Sequence, residues 1–169
     1  MSFQERLKEL RGQFALPKVS EERVVELAVE IKSLEELAKE NLLPILSQVR
    51  TGLLERVDET RIHLESPDPR ATIERMERLK RGVPKICLVL SWGEWNVAVG
   101  NKIHSWGGYE LILTLDGDHY VEVMGGGLEI PSVRFSLNSE NFQQRLEKSV
   151  LSILEDPENV RLEEKYSYN

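Results

Sequence analysis

The sequence predicts an α+β protein, an N-terminal helical hairpin or bundle followed by a four- to five-stranded antiparallel β-meander covered by a C-terminal helix. Three observations carry this. Apolar residues recur at three- and four-residue steps through the first half. In the second half they alternate, or run unbroken as in Ile86-Cys87-Leu88-Val89-Leu90. Breakers at Ser66-Pro67-Asp68-Pro69 and Gly82 to Pro84 separate the two regimes. The expected organisation is a helical region over 1–82, a sheet with its closing helix over 83–157, and a flexible tail over 158–169.

Phe3, Leu7, Leu10 and Phe14 fall at helical intervals, and Pro17 ends that first segment. Ser20, followed by Glu21 and Glu22, has the form of a helix N-terminus. The stripe Val24, Leu27, Ile31, Leu34, Ala38 continues through Leu42, Ile45, Leu46, Val49, Leu53 and Val57. Pro44 lies inside it and removes an amide donor, which predicts a kink or break near 40–44. The stripe slips by four residues near Leu42 and so departs from a regular coiled coil. The reading extends this helix as far as Glu59 and His63. Asp68 and Pro69 open a third helix over 69–81.

Trp95, Val97 and Val99 alternate, as do Leu111, Leu113 and Leu115. At Asp116-Gly117-Asp118, a three-residue loop pairing Leu113 with Val121 gathers the aliphatics on one face, and is preferred to a two-residue turn. Val133, Phe135 and Leu137 mark a last strand whose start, near Pro131, is an edge. Asn138 or Ser139 is the expected cap of the final helix, with Phe142, Leu146, Val150, Ile153 and Leu154 as its apolar face.

The net charge of −7 is uneven: residues 1–82 carry −1 and residues 83–169 carry −6. An acidic β half is a poor match for phosphate backbones, so nucleic acid is an unfavoured partner. No apolar run is long enough to span a membrane, and the charged N-terminus lacks a signal-peptide core. The single cysteine, Cys87, fits a reducing, cytoplasmic setting and reads as a buried, inert thiol.

Few residues in the sequence are placed for chemistry. Glu59 and His63 supply two metal-ligand types at helical spacing, too few for a site. Asp116, Asp118 and His119 crowd donors into one loop, but Asp and Gly are also ordinary turn residues. Gly125-Gly126-Gly127 lacks the Lys and Ser/Thr of a phosphate loop. Arg70, Arg75, Arg78, Lys80, Arg81 and Lys85 form a basic concentration diluted by Glu74 and Glu77, best read as a solvated face. No catalytic residue, metal or cofactor is implied.

Two features point to docking. The apolar face around Leu42, Ile45, Leu46, Val49 and Leu53 is wider than one short helix can cover. The repeated Ser-Trp-Gly segments at Ser91 and Ser105 place Trp92, Trp95, Trp106 and Tyr109 at what read as two successive hairpin corners, where aromatics serve as interface anchors. These nine residues are the expected partner-binding set. The expected function is a non-catalytic interaction, assembly or regulatory protein, a homo-oligomer through its helices that offers its acidic sheet to a protein partner. The alternative is a small enzyme or ligand sensor with a pocket between sheet and helices, its polar groups drawn from His104, His119, Asp116 and Asp118.

Overall fold

The computed structural model describes residues 1–14, 18–57, 60–93, 95–99, 102–106, 109–125 and 133–155, with backbone alone for 95–99 and 102–106. Pro17, Glu59, Pro131, Gly126-Gly127 and the segment 158–169 lie outside the described residues.

Helix α1 spans Phe3–Gln13 and begins with a reciprocal cap: Ser2 Oγ accepts from the Glu5 amide, and Glu5 Oε2 accepts from the Ser2 amide. No residue of α1 is buried. Helix α2, Glu21–Asn41, is capped by Ser20 and buries Leu27, Ile31, Leu34 and Ala38, the stripe read from the sequence. Regular helix is interrupted at Leu42, and α3 runs Leu43–Gly52 with Pro44 in its first turn. A first turn tolerates proline because its amides have no intrahelical acceptor.

The next element departs from the sequence reading. Residues 61–65, His63 among them, form strand β1 (Arg61–Glu65) and not the end of a helix. Ile62 and Leu64 alternate with polar neighbours here, a short strand pattern masked by the long helical stripe before it. Helix α4, Pro69–Leu79, follows, capped by Asp68 accepting from the Ala71 amide at 2.9 Å. It lies against α2, where Arg70 pairs with Glu21 and Arg23 with Glu77.

Strands β2 (Lys85–Trp92), β5 (Tyr109–Asp116), β6 (Tyr120–Gly125) and β7 (Val133–Ser136) join β1 in one antiparallel sheet, ordered β1-β2-β5-β6-β7. Strands β3 (Trp95–Val99) and β4 (Lys102–Trp106) pair separately as a two-stranded ribbon. Trp92 opposes Tyr109 and Trp95 opposes Trp106, so the ribbon keeps the register of β2 and β5. The two Ser-Trp-Gly segments are therefore opposite strands of one long hairpin, and not two successive corners.

The loop after β5 does have three residues, but the register is shifted: Leu113 opposes Val123 and Leu115 opposes Val121. A shift of two preserves the face, so the aliphatics still gather on one side. That side carries Ile86, Leu88, Leu90, Trp92, Leu111, Leu113, Leu115, Val121, Val123 and Phe135. Helices α2, α3 and α5 (Phe142–Leu154) cover it, and all share one core cluster. The other side is half-buried or exposed except at Val89, Thr114 and Asp116. Asn141 stands at the N-cap of α5 and makes no side-chain capping bond; Asn138 and Ser139 instead close the preceding turn onto Ser136.

Gly117, at the β5–β6 turn, sits so close to Glu30 that a Cβ there would stand 3.1 Å from Glu30 Oε1. The middle of α2 thus lies at the Asp116 end of the sheet. Phe142 packs on Phe135 near that same end, with ring centroids 5.6 Å apart, which places the start of α5 there. The last turns of α5 meet α3 along one groove.

Candidate functional site

An open apolar groove of about 440 Å³ lies where α3 and α5 meet. Helical periodicity builds both walls. On α3, Leu42, Ile45 and Leu46 are buried in the core, Ile45 forming the floor of the groove, while Val49 and, just past the helix end, Leu53 stand along it. On α5, Leu146, Val150 and Ile153 are buried, while Leu151 and Leu154 sit on the adjoining arc. Gln48, Glu147 and Glu155 supply the polar positions in the lining. Leu53 and Leu151 are 41% and 52% exposed, large for leucines facing one another across a groove. A lining of aliphatics with carboxylates beside them can hold apolar surface of a complementary partner; it contains no nucleophile and no metal-ligand set.

The expected partner-facing residues do not share one environment, and Ile45 is itself buried. Ile45, Val49 and Leu53 reach the groove. Leu42, Leu46 and Trp92 are sealed inside the single chain, because the slip of the stripe at Leu42 turns those side chains toward the sheet. Trp92 is 1% exposed and stacks on half-buried Tyr109 with ring centroids 6.1 Å apart. This pair packs the sheet end and forms no exposed corner. Trp95 and Trp106 oppose each other in the backbone register of the ribbon; their side chains lie outside the described residues, as does that of His104. Leu151 was missed from the sequence, although it widens the apolar arc of α5 beyond what covering a sheet requires.

The polar candidates are occupied by structure. Asp116 is buried; its Oδ1 accepts from the amides of Asp118 and Tyr120, and its Oδ2 accepts from Arg134 Nη2. His119 takes a left-handed conformation, φ 62°, and its amide donates to the Asp116 carbonyl, a type I turn closed by a left-handed residue. Among the described residues no group of three His, Cys, Asp or Glu is placed to hold a metal. His63 Nε2 lies 2.8 Å from Glu65 Oε1, across from Cys87 on β2. Burial, then the charge of Glu65, pushes the Cys87 thiol up from its ordinary pKa, the opposite of an activated thiolate. Of the basic concentration around α4, Arg70, Lys80 and Lys85 pair with carboxylates. Among the described residues no helix is long and apolar enough to cross a membrane.

Comparison of the chain with models of protein families, with curated proteins and with solved structures finds no match.

Proposed function

We propose that this chain is a non-catalytic assembly protein that self-associates through its helical side and offers its sheet and β-ribbon to a protein partner. The observation that carries the reading is the α3–α5 groove, where Val49, Leu53, Leu151 and Leu154 line up apolar surface that one subunit leaves open. Water is released when such surface is covered, at roughly 25 cal/mol per Å². The occupied hydrogen bonds of Asp116 and the raised thiol of Cys87 supply no reason to prefer an enzyme. The opposed Trp95 and Trp106 support the second half of the reading, since paired aromatics on a ribbon are apt interface anchors. A cytoplasmic location belongs to the same reading, consistent with the single cysteine.

The test is light scattering after size exclusion over a wide concentration range. The expected result is an oligomer that Leu53→Glu together with Leu151→Glu disperses without loss of helical circular dichroism. A wild-type chain that stays at 19.4 kDa at every concentration overturns the reading.

A further inference from the structure

We propose that the α3–α5 groove is filled by α1 of a second copy of the chain, two copies exchanging their first helices about a two-fold axis. This names the occupant of the groove and rests on the assembly reading above.

Helix α1 is well made yet unseated. Its N-terminus is reciprocally capped, while Phe3 and Phe14 are 79% and 71% exposed. Phe3, Leu7, Leu10 and Phe14 form one continuous stripe about 16 Å long. The groove walls, residues 45–53 and 147–155, run for about 12 Å each. Helix and groove therefore match in length and in apolar character.

Charge favours the same match. At about 100° per residue, Arg6 and Arg11 flank the stripe at roughly 70° on either side, while Glu5, Lys8 and Glu9 fall on the back of the helix. The groove lining carries Glu147 and Glu155. An apolar stripe edged by arginines thus meets an apolar trough with two glutamates. Arg6 now pairs with Glu9 of its own helix in an exposed contact, which docking can exchange at small cost.

Reach assigns the helix to another copy. Seven residues, 14–20, lie between α1 and α2 and extend at most about 25 Å. Helix α2 is about 30 Å long, and the groove begins only beyond its far end. A helix docking in its own groove would have to travel the full length of α2. The nearer site, exposed Val25 and Val29 on α2, is interrupted on the same face by Lys32 and Glu36. The tail 156–169, which follows Glu155, has four acidic and two basic side chains, a poor partner for Glu147 and Glu155.

Exchange in both directions closes the assembly, whereas one-way docking would propagate a chain of subunits. It also doubles the buried area. Each phenylalanine contributes about 150–250 Å², so two docked helices approach the roughly 1,200–2,000 Å² of a stable interface.

The experiment measures dimer dissociation of the full chain by light scattering and sedimentation. Wild type, Leu7→Glu, Leu151→Glu, Val29→Glu and Leu162→Ser are compared. Neither Leu7 nor Leu151 is a core residue, so both variants keep the fold, which circular dichroism checks. In a second arm, chains carrying Cys87→Ala with Leu7→Cys are mixed with chains carrying Cys87→Ala with Leu151→Cys under mild oxidation.

The proposal expects a wild-type mass twice 19.4 kDa. Leu7→Glu and Leu151→Glu each weaken the dimer at least about tenfold, Val29→Glu and Leu162→Ser do not, and the mixed chains form an inter-chain disulfide. A dimer lost in Leu151→Glu but kept in Leu7→Glu overturns α1 as the occupant while self-association through the groove stands. Loss in Leu162→Ser alone gives the groove to the tail and overturns the proposal likewise. A single chain carrying Cys87→Ala, Leu7→Cys and Leu151→Cys together that cross-links only within itself places α1 in its own subunit and overturns the proposal. A monomeric wild type removes both this inference and the assembly reading.

Discussion

Arg134 Nη2 donates to Asp116 Oδ2 at 3.0 Å and so ties β7 to the β5–β6 turn across the width of β6. The guanidinium also lies 4.1 Å above the Tyr120 ring. Asp116 Oδ1 meanwhile holds the amides of Asp118 and Tyr120 at 2.9 and 3.0 Å. One buried carboxylate therefore organises the turn that a metal-site reading would have claimed.

Removing that carboxylate exposes its role. Asp116→Ala leaves two amides and a guanidinium without their acceptor, and lowers stability by about 2–3 kcal/mol in urea unfolding. Asp116→Asn keeps an oxygen for the amides and loses less. Arg134→Met costs less than Asp116→Ala, because the arginine is half exposed and solvent screens the pair. Equal losses for both variants would mean that the ion pair, and not the turn amides, dominates.

Trp92 gives a second prediction. Its indole is buried and stacked on Tyr109, yet Nε1 finds no hydrogen-bond partner among the described residues. A buried donor without an acceptor carries a desolvation cost. Trp92→Phe removes that donor along with some packing, so thermal unfolding registers a loss of only about 1 kcal/mol or less. Trp92→Ala opens a cavity at the sheet end and loses about 3–5 kcal/mol. A Phe variant as damaged as the Ala variant would show that the donor is satisfied.

Trp92 also illustrates what the sequence could and could not convey. Its neighbour Gly93 suggested an exposed corner, but the decisive fact is long-range: Trp92 opposes Tyr109 in the same register that carries on to Trp95 and Trp106. A repeat in sequence cannot distinguish successive turns from opposite strands. The α2 stripe was legible because Leu27, Ile31, Leu34 and Ala38 satisfy one period within one element. Leu42 and Leu46 share that period, yet which side of α3 meets the sheet depends on the interruption at Leu42. The α3 half of the groove could thus be anticipated at Val49 and Leu53. Its α5 half could not, since α3 and α5 are far apart in sequence and meet only by packing on the same face of the sheet.

The conformation of His119 bears on whether its side chain has a task. A non-glycine residue at φ 62° is strained by roughly 1–2 kcal/mol, and glycine relieves this while losing about 0.5–1 kcal/mol of chain entropy. His119→Gly is therefore neutral or stabilising by up to about 1 kcal/mol. His119→Val, whose branched side chain resists this conformation, is destabilising. Urea midpoints decide between them. A marked loss in the glycine variant would give the imidazole a role that backbone geometry does not explain.

The pH dependence of Cys87 has a definite sign. Burial first, and then the charge of Glu65, raises its pKa in the folded chain, while Lys85 opposes them. Between the unfolded and folded thiol values the native state holds a proton that the unfolded state has released. Cys87 thus contributes stability that is present below the unfolded thiol pKa and disappears as the pH rises through the folded value. Denaturant midpoints should fall on the alkaline side of the unfolded thiol's pKa, and Cys87→Ala should flatten that part of the profile. Thiol-reagent kinetics offer an independent check, since only the thiolate reacts. Native Cys87 should reach half-maximal rate at a higher pH than the same chain in urea. A native thiol that titrates at or below the unfolded one would contradict the burial argument and reopen Cys87 as a reactive group beside His63 and Glu65.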